Sequence, residues 1–335
     1  MRIDFIDNMK ALGILLVIIG HLPFLLTDRL IILIYSFHMP LFFFISGFLI
    51  GDKLSNYTSL KFIRYCQNSY IKPYAIFFTL SLFFYFLSLY MKGNLTDASL
   101  YYFDIVMVFF WATSDTIKVN AVLWYFSAAW VTLVVAFLVD KLLSNYSYEK
   151  FLLLTLLFFI ILVGTPLNSD DAPWNIAIVH ICLFFLILGK ITKKYLLIVS
   201  RVNIKNHHWL AILAIFFITI YSSLYNGRID LASGTLGYSN VLFIINATMM
   251  IFCVFFAASS FSAKRLTQWL SLRSLIIFPL HVFAIQILTM IMRPNFENIT
   301  LINSIFFLLF YVTFALLFSF VAAKFLTRLI PSVFK

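Results

Sequence analysis

The stretch Lys10-Ala11-Leu12-Gly13-Ile14-Leu15-Leu16-Val17-Ile18-Ile19-Gly20-His21-Leu22-Pro23-Phe24-Leu25-Leu26-Thr27 is almost wholly apolar. A break at Asp28-Arg29 separates it from a second apolar run, Leu30–Ile50. That run contains Tyr35-Ser36-Phe37-His38-Met39-Pro40-Leu41-Phe42-Phe43-Phe44-Ile45-Ser46-Gly47-Phe48. A membrane span needs about 20 mostly apolar residues, so the two runs read as the first two spans of a helical series. Each holds one titratable side chain, His21 or His38. An imidazole in hydrocarbon is costly unless a polar partner or cavity receives it, which marks both as candidates for function.

The rest of the chain extends this pattern. Its 335 residues are 63% hydrophobic and 11% charged, and the mean hydropathy is +1.01. No soluble domain needs that much apolar side chain, so the expected fold is an all-α polytopic membrane bundle. Ten spans are predicted: Ala11–Thr27, Leu30–Ile50, Tyr70–Tyr90, Ala121–Val139, Phe151–Pro166, Trp174–Leu188, His208–Tyr225, Ser239–Ala258, Ser271–Met292 and Ile302–Phe325. Tyr101–Thr113 is apolar but too short to cross, and reads as interfacial or re-entrant. The first span lacks a small-residue cleavage site and follows Asp4 and Asp7, so it reads as retained rather than as a signal peptide. One membrane-embedded domain over residues 1–335 is expected, with no separate soluble part.

Charge tests the layout. With both termini in the cytoplasm, only Arg29, Lys92, Lys118, Arg228 and Arg293 of the 24 Lys and Arg residues fall outside. A wrong span count would scramble that bias, so the distribution favours N-in/C-in. The net charge of +11 is then a topology signal, and nucleic-acid binding is not expected. Cys66, Cys182 and Cys253 are spaced for neither a disulfide framework nor a metal site.

On a helix of 100° per residue, Lys10 and His21 are three turns and about 20° apart. They share a face and are separated by roughly 16 Å along the axis. Asp7 falls about 40° to the side. His38 and His281 lie at a depth similar to His21, near the middle of their predicted spans, and each of the three is two residues from a proline: Pro23, Pro40 and Pro279. A proline frees the carbonyl four residues earlier, and such breaks are tolerated beside a watery cavity. Three central histidines beside three expected breaks suggest one polar cavity. The plainer alternative is that each histidine bonds a neighbouring helix. That alternative is preferred for His180, while His207 and His208 read as interfacial.

A neutral imidazole accepts a proton from a hydroxyl as the oxygen attacks a carbonyl, and the oxyanion needs donors. Ser36, Ser46, Tyr35 and Trp124 are candidates by residue type and depth, and the sequence does not choose among them. On the cytoplasmic side, Lys10, Arg64 and Lys72 suit phosphate groups. The positive-inside rule alone also places Lys and Arg there, and it is the preferred account of Lys190, Lys193, Lys194, Arg201 and Lys205.

These words resemble the acyltransferase-3 membrane proteins, and within them the fucose 4-O-acetylase-like branch. The resemblance rests on Ile6-Asp7-Asn8-Met9-Lys10-Ala11-Leu12-Gly13 with His21 eleven residues after Lys10, and on the Tyr35–Phe48 word. Leu123-Trp124-Tyr125-Phe126 and Ser274-Leu275-Ile276-Ile277-Phe278-Pro279-Leu280-His281 resemble two further family words. The resemblance implies transfer of an acyl group, usually acetyl, from acetyl-coenzyme A to a sugar hydroxyl of a surface polysaccharide such as O-antigen, or of its lipid-linked precursor. It implies a bacterial inner-membrane setting and no tightly bound cofactor. His21 matches the family's essential histidine and Lys10 the basic residue paired with it. Asp7, Ser36, His38, Ser46, Trp124 and His281 are then supporting residues of the cavity, and Lys10, Arg64 and Lys72 donor contacts. One departure stands out: where many members carry Arg-x-x-Arg, this chain has Arg64 alone and Lys72 further on.

Two other classes compete. A transporter or flippase for a polyprenyl-linked sugar also has broken helices and central polar residues, but no internal repeat joins the two halves and no carboxylate lies within a span. A structural partner of a polymerase complex accounts for none of the histidines.

Overall fold

The structure, a computed structural model, describes residues 3–23, 27–54, 56–92, 102–114, 117, 120–142, 172–199, 206–292 and 301–334. Helix dominates them: α1 (Asp4–Gly20), α2 (Asp28–Tyr35), α3 (His38–Leu54), α4 (Ser59–Cys66), α5 (Lys72–Lys92), α6 (Tyr102–Trp111), α7 (Trp124–Leu142), α8 (Val179–Val199) and α9 (Asn206–Asn226). Two short strands, β1 (Ile229–Asp230) and β2 (Thr235–Leu236), precede α10 (Asn240–Ser259), α11 (Arg265–Met292), α12 (Leu301–Leu329) and α13 (Pro331–Phe334). Among the described residues, eight helical segments are long and apolar enough to cross a membrane, with Asp28–Ile50 of α2 and α3 taken together as one of them. At 17 residues, α1 is about 26 Å long, slightly short of a hydrocarbon core. The predicted span Phe151–Pro166 lies outside the described residues.

Several helix ends differ from the hydropathy reading, each for a local reason. The first helix is Asp4–Gly20, not Ala11–Thr27, so His21 caps its far end instead of sitting mid-helix. Leu30–Ile50 is two helices. Pro40 has no N–H for the Ser36 carbonyl and its ring would press on it, so the chain breaks at Ser36-Phe37 and α3 restarts at His38, with Pro40 in its first turn. The third span begins early, at Ser59, and a π-helical turn over Gln67–Ile71 joins α4 to α5 just before Pro73. Pro279 produces no break, because α11 runs through it.

The chain divides into two compact units. The first comprises Met1–Gly51, Phe185–Asp230 and Leu236–Phe334. In it α1 and α11 run side by side in the same direction. Ser271 Oγ donates to Asp7 Oδ1 at 2.5 Å near one end, and the His21 and His281 rings meet at the other. Asn8 Nδ2 donates to the carbonyls of Ala258 and Phe261, fixing the end of α10 against α1. The α2–α3 arm returns along α1, with Phe48 against Phe5, Phe42 against Gly13 and Tyr35 against Gly20. Gly47 of α3 and Gly189 of α8 meet backbone to backbone, since a Cβ on Gly47 would overlap the Leu186 carbonyl and one on Gly189 the Phe44 carbonyl. Small residues at such crossings let membrane helices approach closely. The turn between α9 and α10 is organised by buried Asn226, which donates to the Leu236 carbonyl and accepts from Ser239 N, both at 2.9 Å.

The second unit comprises Asp52–Phe184 and Leu231–Thr235. Phe62 stacks on Phe137 at 4.1 Å, joining α4 to α7. The ten-residue α6 is too short to cross, and its C-terminal carbonyls are satisfied by side chains: Tyr74 Oη donates to Phe109 O at 2.8 Å, and Asn175 Nδ2 and Ser127 Oγ each donate to Ala112 O at 2.9 Å. Helix carbonyls without an intrahelical partner need such donors, above all in apolar surroundings. Beside this knot, Tyr70, Tyr74, Phe109, Phe126, Trp130 and Trp174 line an apolar cavity of about 170 Å³.

Candidate active site

His21 stands where α1 ends and Pro23 begins to turn the chain. Its Nδ1 lies 2.8 Å from the Val17 carbonyl. A carbonyl oxygen only accepts, so the Nδ1 proton is donated and Nε2 carries the lone pair. The helix end thus fixes both the ring and its tautomer. His38 repeats the device at the α2–α3 break, with Nδ1 donating to the Ile34 carbonyl at 2.7 Å. His21 is partly exposed and His38 buried.

Tyr35 lies between the two histidines. Its ring centre is 4.9 Å from that of His38 and 6.2 Å from that of His21. Its hydroxyl donates to the Gly20 carbonyl at 3.3 Å, tying α2 to the end of α1. His281 approaches His21 from α11, edge to face, with ring centres 5.1 Å apart. Three imidazoles distant in sequence therefore gather at one end of α1. Among the described residues, no group of three or more His, Cys, Asp or Glu is placed to hold a metal ion.

The other singled-out residues are placed unevenly. Asp7 is buried and accepts from Ser271. Lys10 is partly buried one turn further along α1, within electrostatic reach of Asp7. Ser36 is buried, with its hydroxyl committed to the Leu33 carbonyl at 2.7 Å. Ser46 is partly exposed on α3, beside the Gly47 crossing. Trp124, Arg64 and Lys72 belong to the second unit. Trp124 opens α7 and is buried. Arg64 and Lys72 are exposed, and Lys72 Nζ donates to Asn68 Oδ1 at 2.8 Å.

Sequence reasoning missed Asp230. It sits on β1, in a connection rather than in a span, and acts electrostatically on both His21 and Tyr35. Arg228 reaches Tyr35 in the same way. Hydropathy carries no signal for either, because the Asn226 turn, not apolar burial, brings that loop to the end of α1.

Residues 3–324 match the acyltransferase-3 family, described as an acyltransferase domain. The chain belongs to the acyltransferase-3 family. No curated protein and no solved structure matches it. As a member of this family it is an acyltransferase, and its apolar helices make it an integral membrane protein. The words on which the resemblance was drawn fall at structural joints of the family domain. The Lys10–His21 word covers the later part of α1 and ends on its C-cap, and the Tyr35–Phe48 word contains the α2–α3 break and the Gly47 crossing.

Proposed function

We propose that this acyltransferase is an O-acetyltransferase of the bacterial inner membrane. It moves acetyl from acetyl-coenzyme A to a sugar hydroxyl of a cell-surface polysaccharide or its lipid-linked precursor, with His21 as the base. The observation that carries this reading is the Nδ1–Val17 hydrogen bond, which leaves Nε2 as a fixed proton acceptor. The acceptor hydroxyl gives its proton to Nε2 as its oxygen attacks the thioester carbonyl. The carbon–sulfur bond then breaks, and the departing sulfur takes the proton back. Asp230 lowers the cost of the transient imidazolium by its charge. Lys10 is proposed to meet donor phosphates, as are exposed Arg64 and Lys72.

The test uses purified full-length protein in detergent, with free coenzyme A thiol as the readout. Acetyl-coenzyme A plus a suitable glycan should release thiol, and the glycan should gain acetyl by mass spectrometry. His21→Ala should lower the rate by about 10²–10⁴, the usual contribution of a positioned base, with protein level and melting temperature preserved. Near-wild-type turnover in a folded His21→Ala protein would remove His21 from this role.

A further inference from the structure

His281 is fully buried, and neither of its ring nitrogens has a hydrogen-bond partner among the described residues. The carbonyls of Ile277 and Phe278 act on the ring as backbone acceptors, but neither makes a well-formed hydrogen bond to a ring nitrogen. A neutral imidazole carries one donor and one acceptor, and leaving both unmade in a buried site is costly. Such a group calls for a state in which it is satisfied. Its neighbour is the ring of His21, edge to face at 5.1 Å between centres and 65° between planes. At that separation, rotation to an edge-on approach brings two imidazole nitrogens to ordinary hydrogen-bond length.

We propose that His281 is the positioning partner of protonated His21, accepting a hydrogen bond from Nε2–H during acyl transfer. In the resting state His21 has given its only N–H to Val17 and has no proton to offer. The crossed rings keep His281 off Nε2, which leaves that lone pair for the acceptor hydroxyl. Once the hydroxyl proton moves to Nε2, the imidazolium gains a second N–H, and His281 holds an unused lone pair on the neighbouring ring. The proton is shared between the two rings while the tetrahedral intermediate exists. When the carbon–sulfur bond breaks, it passes to the thiolate sulfur, and both rings return to neutral. The α1–α11 pairing through Asp7 and Ser271 sets the spacing that this exchange needs.

The inference rests on the acetyl-transfer reading, so wild type and variants are compared in the same thiol-release assay in detergent. His281→Leu fills the space without an acceptor, and His281→Gln restores a carbonyl acceptor. His281→Leu should lower kcat by about 10- to 100-fold, the loss expected for one hydrogen bond to a charged group. The KM values for donor and acceptor should stay near wild type, and His281→Gln should recover most of the lost kcat. A merely structural role would make the two variants alike, or move KM and melting temperature together, and either result overturns the proposal. So does a wild-type kcat in His281→Leu. If wild type itself releases no acceptor-dependent thiol, the acetyl-transfer reading falls and takes this inference with it. A working wild type with indistinguishable variants overturns the inference alone.

Discussion

Replacing Gly47 with alanine should loosen the first unit by a calculable route. The added Cβ would overlap the Leu186 carbonyl, and the next nearest atoms are also Leu186 backbone. No flexible side chain is there to give way, so α3 and α8 must part. Forcing an extra methyl into a close-packed contact typically costs about 1–3 kcal/mol, and a rigid backbone neighbour favours the upper part of that range. For a chain of this size the melting point should fall on the order of 5 °C. Gly189→Ala should act alike through the Phe44 carbonyl. The same separation of helices accommodates both methyls, so the double variant should cost clearly less than the sum of the singles. Melting in detergent is read with a thiol-reactive fluorophore, since Cys66, Cys182 and Cys253 are free and buried and react on unfolding. Unchanged melting in both single variants, or strict additivity in the double, would refute a backbone-to-backbone crossing.

Asp230→Asn should lower kcat a few-fold with little change in the KM for acetyl-coenzyme A, because its charge acts on His21 and Tyr35; steady-state thiol release checks this. Lys10→Ala, Arg64→Ala and Lys72→Ala should raise the KM for acetyl-coenzyme A more than that for the acceptor, and unchanged donor constants in all three would leave the donor-contact role unsupported. In a background lacking the three native cysteines, Cys placed at the strongly exposed Tyr238 (87%) should label from outside intact cells. Cys placed at exposed Asn56 should label only after the cytoplasm is opened, as the Lys and Arg asymmetry requires.

The membrane class and most helix positions were legible in the sequence, because crossing a bilayer is set by apolar content summed over some 20 residues. The Lys10–His21 spacing and the family words were equally local, and the family match covers them. Helix ends were not legible. Hydropathy averages across Gly20, Ser36 and Pro73, whereas termination depends on single missing or redirected hydrogen bonds. The three histidines could be singled out from cost alone, but not their chemistry. Which nitrogen of His21 or His38 is free follows from a carbonyl one turn earlier, Val17 or Ile34. That His281 faces His21 follows from two helices joined far from both rings by Asp7 and Ser271. Asp230 reaches the site because the Asn226 side chain folds a loop back on itself. The sequence by itself determined that the chain enters the membrane and carries costly polar groups there, since both are sums over neighbours in the chain. Only the tertiary structure decided which of those groups meet and which atoms they leave free, because hydrogen bonds and close crossings depend on directions and distances between segments far apart in sequence.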